Sequence, residues 1–312
     1  MRAATIRDKE ILVEQHPDPE PGHGEVLVRV RAAGMNGADM MQRRGLYPAP
    51  EGSPQDIPGM ELAGEVQALG SGPQRFAVGD RVMAVIGGGA QAELAIVNER
   101  QLMPVPDGLG WASAGGLPEV FMTAHDALFS QAALRPGEHL LVHGGAGGVG
   151  TAAIQLARAT GARVTATVRN EQLRGAVEQL GAETIAPEGF AANGPFDVIL
   201  ELVGAPNMPE NLEALANRGR VVVIGVSAGV KTELNLLALM GKRAHVMGST
   251  LRARTLEDKA QAARLLEREV LPLFASGALR VPLAETFPLD RAAEAYERFA
   301  AGGKLGKIVI EP

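Results

Sequence analysis

The middle of the chain alternates between short apolar runs and segments with helical periodicity. Strands are predicted at Leu140–His143, Arg163–Val168, Asp197–Leu202, Val221–Val226 and Ala244–Met247, with helices between them at Val149–Thr160, Glu171–Leu180 and Pro209–Ala216. The strands are apolar almost throughout, as a parallel sheet covered on both faces requires. This alternation predicts a doubly wound α/β domain that binds its ligand at the carboxyl ends of the strands.

The two ends of the chain follow a different pattern. Val26–Arg31 alternates between apolar and polar residues, and Gly- and Pro-rich turns separate it from further short strands. Near the other end, amphipathic helices are predicted at 256–276 and 289–301, followed by a closing strand at 307–310. Because this tail does not continue the alternation, we expect it to rejoin the N-terminal part. Residues 1–120 and 260–312 would then form one β-rich domain, with an α/β domain at 121–259 inserted between them.

A glycine-rich turn joins the first strand of the α/β domain to its first helix. Gly145, Gly147 and Gly150 have the G-x-G-x-x-G spacing. The first glycine permits a tight turn, the second lets a pyrophosphate approach bare backbone, and the third lets the helix pack on the strand. The helix N-terminus adds unpaired N–H groups and roughly half a positive charge. The turn therefore predicts a dinucleotide site.

The end of the second strand indicates which dinucleotide is bound. NAD sites usually place an acidic residue there, against the ribose hydroxyls, whereas this chain has Arg169 and Asn170. A guanidinium can pair with a 2′-phosphate through charge-assisted hydrogen bonds, so the sequence favours NADPH. The adjacent Glu171 is a counter-signal, and the alternative for Arg169 is a solvated residue at a strand end.

Composition excludes several classes of function. The chain has no cysteine, so disulfides, thiol nucleophiles and thiolate metal sites are ruled out. The net charge of −6 gives no basic footprint for nucleic acid. The first ten residues carry charges where a signal peptide needs an apolar run, and no run is long enough to span a membrane. A cytoplasmic protein is expected.

Several motifs resemble one family across nearly the whole chain. They are Asn36–Asp39, Gly59–Glu65, Leu117–Ala124, Val142–Ala157 and Gly306–Val309. Together they resemble the zinc-free quinone oxidoreductase (zeta-crystallin-like) branch of the medium-chain dehydrogenase/reductase superfamily. Asp39–Gly45 and Leu251–Arg254 are most similar to its tumour-suppressor-inducible type.

The resemblance implies a fold and a set of site residues. It implies a Rossmann domain inserted into a GroES-like catalytic domain, and homodimers joined through the nucleotide-binding domains, with the segment 243–247 as the natural edge strand. In addition to Arg169 and Asn170 at the end of the second strand, the residues that it places against the cofactor are Thr123, Gly145, Gly147, Gly148, Val149, Gly150, Gly225, Val226, Thr250, Leu251 and Lys307. Asn36 and Tyr47 would lie beside the nicotinamide and the substrate.

The chain departs from the zinc-dependent relatives at both positions where they carry metal ligands. Gly34 stands near their cysteine, and Met60 stands where a histidine precedes their glutamate. Glycine and a thioether cannot replace thiolate and imidazole on Zn²⁺, so we expect a zinc-free enzyme.

Four of the polar residues also have ordinary structural interpretations. The structural alternative for Asn36 is a turn residue beside Gly37, and that for Tyr47 is an anchor of its proline-rich loop. Asp39 is expected to cap a helix or to pair with Arg43, and His143 to pack at its strand end.

We therefore predict an NADPH-dependent, zinc-independent oxidoreductase that reduces quinones. A nicotinamide supplies the hydride, and hydrogen bonds from Asn36, Tyr47 or backbone amides stabilise the developing oxyanion. One alternative is reduction of activated carbon–carbon double bonds, as in enones, with Tyr47 as proton donor. Another is an NADPH-binding sensor or structural protein without turnover.

Overall fold

The structure, a computed structural model, describes residues 1–72 and 75–312. In chain order its strands are β1 (Arg2–Arg7), β2 (Glu10–Gln15), β3 (Glu25–Gly34), β4 (Glu61–Leu69), β5 (Arg81–Val85), β6 (Leu94–Asn98), β7 (Met103–Pro104), β8 (His139–Val142), β9 (Arg163–Thr167), β10 (Glu183–Ile185), β11 (Phe196–Glu201), β12 (Leu215–Val223), β13 (His245–Gly248), β14 (Leu283–Pro288) and β15 (Lys307–Glu311). Its α-helices are α1 (Gly37–Arg43), α2 (Trp111–Gly115), α3 (Pro118–His125), α4 (Gly148–Ala159), α5 (Arg174–Glu178), α6 (Met208–Ala214), α7 (Leu236–Lys242), α8 (Leu256–Glu269), α9 (Leu271–Ala275) and α10 (Ala292–Ala301). The chain divides into two compact units.

The first unit is β-rich and is built from both ends of the chain. It comprises Met1–Met122, Leu251–Gly302 and Lys307–Pro312. Its main sheet has the order β14-β15-β3-β4-β5-β7, with β6 also paired to β3, while β1 and β2 form a separate antiparallel pair. The C-terminal tail contributes β15 to this sheet, and α10 buries Tyr296 against Ile308. The tail therefore rejoins the N-terminal part, as its pattern predicts.

The second unit is a parallel α/β sheet. It comprises Thr123–Thr250 and Gly303–Gly306. Six parallel strands have the order β10-β9-β8-β11-β12-β13. This order matches the 3-2-1-4-5-6 arrangement of dinucleotide-binding folds, in which ligands bind outside the carboxyl ends of the strands. Leu141 and Ile199 in its central strands are fully buried, which explains why their segments are apolar throughout. The predicted α/β fold is confirmed.

The boundaries between the units differ from the predicted 259/260 division. The first unit resumes at Leu251, because the side chain of the adjacent Arg252 donates to Gly87 O and Tyr47 O within it. The segment 303–306 lies in the second unit, because Gly306 N donates to Ala146 O at 2.8 Å. Neither feature leaves a periodic signal in the sequence.

Some predicted elements also differ in extent. The single helix predicted over 256–276 is divided into α8 and α9 at Val270, and Pro272 lies in the first turn of α9. A proline cannot donate its backbone nitrogen to a continuing helix, which accounts for the division. In the second unit, β12 begins at Leu215, although the sequence predicts a helix over Pro209–Ala216. Across residues 1–72 and 75–312, no helix is long and apolar enough to cross a membrane.

Candidate functional site

The glycine turn of the second unit lies directly after β8. Gly144 takes the left-handed conformation, with φ of 66°, and so provides the tight turn. Gly145 is limited by space instead, because a Cβ there would lie 2.7 Å from the Cβ of Ala166. Gly145 N donates to Thr167 O at 3.0 Å, which fixes the turn against the end of β9. The residue that needs the unusual backbone angle is therefore Gly144, which precedes the motif.

The start of α4 is packed on one side and open on the other. A Cβ on Gly150 would lie 2.5 Å from Gly144 O, so only glycine allows the helix to pack on the turn. Gly147 is the N-cap residue, and no side chain caps the helix there. Gly148 and Val149 follow in the first helical turn, where backbone N–H groups lack partners within the helix. This end of α4 is suited to an anion.

A short segment from the C-terminal region lies beside this turn. Gly306 forms a parallel bridge with Gly147, in addition to its bond to Ala146. Within the same segment, half-buried Lys304 donates from Nζ to Gly306 O at 2.8 Å. The structure thus adds a cation near the glycine turn that the sequence pattern did not indicate, because more than 150 residues separate the two in the chain.

The end of β9 has two arginines. Arg169 is exposed, whereas the side chain of Asn170 accepts from Gln172 N at 3.0 Å and begins a 3₁₀ turn. That turn brings Arg174 back to the strand end, where its Nε donates to Val168 O at 3.2 Å. Arg174 also pairs with Glu171, at 3.3 Å between Nη1 and Oε1. The acidic counter-signal of the sequence is therefore partly neutralised by an arginine that sequence analysis did not select.

Of the remaining second-unit candidates, Gly225 and Val226 are half-buried and follow β12. Gly225 N donates to Glu201 O at 3.1 Å, and a Cβ on Gly225 would lie 2.4 Å from Leu202 O. Thr123 is buried and Thr250 is exposed. The contacts of these residues with a cofactor stay predictions.

The first unit contains a buried cluster around Lys307. Its ammonium nitrogen lies 2.6 Å from Glu61 Oε1, 2.7 Å from Asn36 Oδ1 and 2.6 Å from Met35 O. Strand β15 supplies the lysine, the start of β4 supplies the glutamate, and the junction of β3 and α1 supplies the other two groups. Lys307 and Glu61 are at most 2% exposed. All three donors of the ammonium are used inside the protein.

The same cluster holds the side chain of Asn36, which is 7% exposed. Its Nδ2 donates to Glu61 Oε1 at 2.9 Å and contacts Gly34 O at 3.4 Å, while its Oδ1 accepts from Lys307. These contacts fix the orientation of the Asn36 amide. One of its N–H groups is bonded to Glu61, and only the one in the long contact to Gly34 O is available to donate to a substrate oxygen instead. The catalytic role of Asn36 stays a prediction.

Asp39 lies fully buried behind Asn36. Its carboxylate accepts from Asn36 N at 2.8 Å and from Gly59 N at 3.2 Å, so it caps α1 as expected. Burial raises the pKa of Asp39 to about 6, against the opposing effect of these hydrogen bonds. The predicted alternative of pairing with Arg43 is wrong, because Arg43 pairs with Glu10 and Glu297.

Arg252 is a buried cation that sequence analysis did not select. Its Nε donates to Gly87 O at 2.7 Å, its Nη1 donates to Tyr47 O at 3.0 Å, and its Nη2 donates to Gln42 Oε1. The guanidinium carbon lies 5.1 Å from the centre of the Tyr47 ring. Arg252 therefore holds both the backbone and the ring of the half-buried Tyr47. A cation next to Leu251 in a loop gives no periodic signal, so only the fold identifies it.

The residues around Glu61 do not fit a catalytic zinc. A Cβ on Gly34 would lie 2.4 Å from Glu61 Oε1 and 2.8 Å from Gly115 O, so this position has no room for a ligating side chain. Met60 is buried, and Lys307 already neutralises the carboxylate of Glu61. No group of three or more His, Cys, Asp or Glu able to hold a metal occurs in residues 1–72 and 75–312. Among the described residues, the only cation in contact with the Glu61 carboxylate is the ammonium of Lys307.

Comparisons with known proteins agree with both units. A family model described as "Alcohol dehydrogenase GroES-like domain" matches residues 22–107, and one described as "Zinc-binding dehydrogenase" matches residues 148–268. A quinone oxidoreductase of Pseudomonas aeruginosa is 36% identical over 305 residues, which covers 94% of this chain and 93% of that protein. Among residues 1–72 and 75–312, no group of side chains fits the zinc named in the second description.

Solved structures give the same result. A quinone oxidoreductase of Pseudomonas syringae superposes with a TM-score of 0.89 at 31% identity, and covers the whole of both chains. A mycobacterial protein in complex with NADPH superposes with a TM-score of 0.90 at 26% identity, again over the whole of both chains. The chain belongs to the quinone oxidoreductase family of the medium-chain dehydrogenase/reductase superfamily.

Proposed function

We propose that this protein reduces quinones with NADPH and without a metal ion. The observation that carries the cofactor assignment is the uncapped start of α4 at Gly147, directly after a turn that only glycines allow. A helix end of this kind binds the pyrophosphate of a dinucleotide. The acceptor is inferred from the relatives, which include quinone oxidoreductases at 30–36% identity.

The positively charged side chains at the end of β9 support binding of NADPH over NADH. Arg169 is exposed there, Arg174 is anchored to Val168 O, and Glu171 is engaged by Arg174. A 2′-phosphate carries up to two negative charges and is recognised well by guanidinium groups. We infer that Arg169 contacts this phosphate and that Arg174 adds to the positive field.

The Lys307 cluster supports a substrate side that works without zinc. Reduction of a simple ketone builds up a localised alkoxide charge, whereas a quinone becomes an aromatic hydroquinone and needs only modest stabilisation of its developing oxyanion. When bound, NADPH supplies the hydride. Asn36 is held in one orientation by Lys307 and Glu61, and Tyr47 is held by Arg252. We infer that these two residues position the acceptor and donate hydrogen bonds to its oxygen.

A comparison of acceptors tests this function. Oxidation of NADPH is followed at the nicotinamide absorption band with a panel of quinones and a panel of enones, for the wild type and for Tyr47→Phe. We expect faster turnover with quinones and a partial loss in the variant. A large preference for enones that disappears in Tyr47→Phe would instead support alkene reduction with Tyr47 as proton donor. NADPH binding without turnover on any acceptor would indicate a non-catalytic protein.

We further propose that two copies of the chain associate through the second unit. Strand β13 forms one edge of the six-stranded sheet, and the neighbouring α7 exposes large apolar side chains. Leu237 is 77% exposed and Met240 is 70% exposed. Apolar side chains beside an open strand edge favour pairing with a symmetric copy. Analytical ultracentrifugation of the wild type and Leu237→Asp tests this: a dimer is expected for the first, and a shift towards monomer for the second.

A further inference from the structure

A chain of hydrogen bonds runs behind the glycine turn in the second unit. Gly144 N donates to Thr167 Oγ1 at 3.2 Å, and Thr167 Oγ1 lies 3.2 Å from His143 Nδ1. His143 Nε2 lies 2.7 Å from Asn211 Oδ1, and Asn211 Nδ2 donates to Glu201 Oε2 at 2.7 Å. All of these side chains are at most 3% exposed. Four buried side chains thus connect the ends of three parallel strands.

These hydrogen bonds all run in the same donor-to-acceptor direction along the chain of side chains. Asn211 Nδ2 donates to Glu201, so its Oδ1 is the acceptor facing His143, and His143 must carry its proton on Nε2. His143 Nδ1 then accepts from the Thr167 hydroxyl, whose lone pair is left to accept from Gly144 N. Each donor matches one acceptor, and only the neutral Nε2–H tautomer of His143 satisfies the whole chain.

The surroundings of His143 favour this neutral form. Burial lowers its pKa, opposed by Glu201, whose Oε2 lies 3.7 Å away, by the hydrogen bond to Asn211, and by Glu210 on α6. Its other neighbours are Asn211 and Thr167, and the ring of Phe190 at 4.6 Å between centroids. Burial of the ring, with an aromatic edge packed against it, outweighs these opposing contacts and stabilises an uncharged imidazole.

The other end of this hydrogen-bond chain, at Glu201, fixes a second loop. Glu201 Oε1 accepts from Val203 N at 2.6 Å and from Gly204 N at 2.8 Å, which orders the loop after β11. The backbone oxygen of Glu201 accepts from Ile224 N at 2.9 Å and from Gly225 N at 3.1 Å. The same residue therefore also holds the start of the loop containing Gly225, which is predicted to border the nicotinamide half of the cofactor.

We propose that Thr167, His143 and Asn211 are positioning residues for the cofactor, which hold the glycine turn and the Gly225 loop in a fixed relation. The inference rests on the proposed NADPH function. None of the three side chains is solvent-accessible enough to contact the cofactor itself. They act through Gly144, whose amide orientation determines the path of the turn, and through Glu201. Their effect should appear as weaker cofactor binding that an equal loss of fold stability elsewhere on β9 does not produce.

Thr167 offers a test with a matched control on the same strand. Thr167→Val is nearly isosteric and removes the hydroxyl that links Gly144 to His143. Thr165→Val removes an equally buried hydroxyl on β9, but that hydroxyl bonds to His139 Nε2 at 2.9 Å, at the beginning of β8 rather than at the turn. Thr167→Ser retains the hydroxyl and should retain the bond. The three variants therefore separate loss of a buried hydroxyl from loss of this particular bond.

NADPH affinity is measured by fluorescence titration, thermal stability by calorimetry, and the order of the turn by amide hydrogen exchange in peptides covering 143–150. We expect Thr167→Val to raise the Kd for NADPH about tenfold, the effect of roughly one hydrogen bond, and to speed exchange in the turn. Thr165→Val should lower the melting temperature to a similar extent and leave both the Kd and the exchange unchanged. Thr167→Ser should restore wild-type affinity.

The outcomes separate the inference from the function on which it rests. Equal Kd values for Thr167→Val and Thr165→Val, in a wild type that binds NADPH, overturn the positioning role alone. Unchanged hydrogen exchange at 143–150 in Thr167→Val also overturns it. A wild type that binds neither NADPH nor NADH contradicts the proposed function and removes the positioning role with it.

Discussion

The ammonium nitrogen of Lys307 lies 2.6 Å from Oε1 of Glu61, and neither side chain is more than 2% exposed. Gly34 leaves no space for a ligating side chain beside this pair. The buried carboxylate of Glu61 is thus neutralised by an amine from the C-terminal strand. The positive charge is supplied by the chain itself, and it orients Asn36.

Loss of the lysine should be costly for stability. Lys307→Met leaves the carboxylate of Glu61 buried and unpaired, and breaking a buried ion pair costs about 3–5 kcal/mol. Urea unfolding should show this loss, and the double variant Lys307→Met/Glu61→Gln should recover a large part of it. The control is Arg31→Met, which breaks the exposed pair with Glu65 and should cost less than about 1 kcal/mol. Equal effects of Lys307→Met and Arg31→Met would contradict the buried charge pair.

Asp39 should make stability depend on pH. Its pKa in the folded protein is about 6, above the ordinary value of 3.8, so the folded state holds this proton more tightly than the unfolded state. The resulting stabilisation is complete below about pH 4 and is lost as the pH rises through 6. The change amounts to about 3 kcal/mol between pH 4 and 7.

The variant Asp39→Asn cannot titrate at this position. Its free energy of unfolding, relative to wild type, should therefore improve by up to about 3 kcal/mol between pH 4 and 7. Denaturant unfolding at a series of pH values measures this difference. A difference that is constant over this range would show that the proton of Asp39 is not held in the folded state.

The two arginines at the end of β9 should distinguish NADPH from NADH. Arg169→Ala removes the exposed guanidinium, and we expect about tenfold weaker NADPH binding, since a charge-assisted hydrogen bond contributes roughly 1.5–3 kcal/mol. NADH binding should change little. Arg174→Ala should have a smaller effect in the same direction.

Arg163→Ala provides the control for the β9 arginines, because this exposed residue lies at the opposite end of the strand. Affinities for both dinucleotides are obtained by fluorescence titration. If Arg169→Ala weakens NADPH and NADH equally, the phosphate site lies elsewhere.

Sequence patterns predict much of this fold, and the reasons are local. The apolar strands and the glycine spacing indicate the α/β unit because burial on both faces and close backbone packing each restrict residue choice. The patterns predict five of the six strands and the return of the tail to the first unit, but neither β10 nor the order of the strands. The prediction of an NADPH site likewise starts from one local feature, the glycine-rich turn at 145–150.

The missing parts of the prediction depend on long-range packing. Arg252 and Lys304 are cations in irregular segments, and their contacts lie far away in the sequence. The alignment of Thr167, His143, Asn211 and Glu201 requires the ends of three separate strands and helix α6. The periodicity of the sequence does not indicate which buried polar groups will contact one another, so only the fold identifies these relationships.

The central claim is that the chain reduces quinones with NADPH and without a metal. The most direct measurement is the quinone-dependent oxidation of NADPH by a preparation whose metal content is determined by mass spectrometry, before and after incubation with a chelator. We predict turnover with metal far below one ion per chain, unchanged by the chelator. Stoichiometric zinc in the protein, or activity that is lost with the chelator and restored by zinc, would contradict the account.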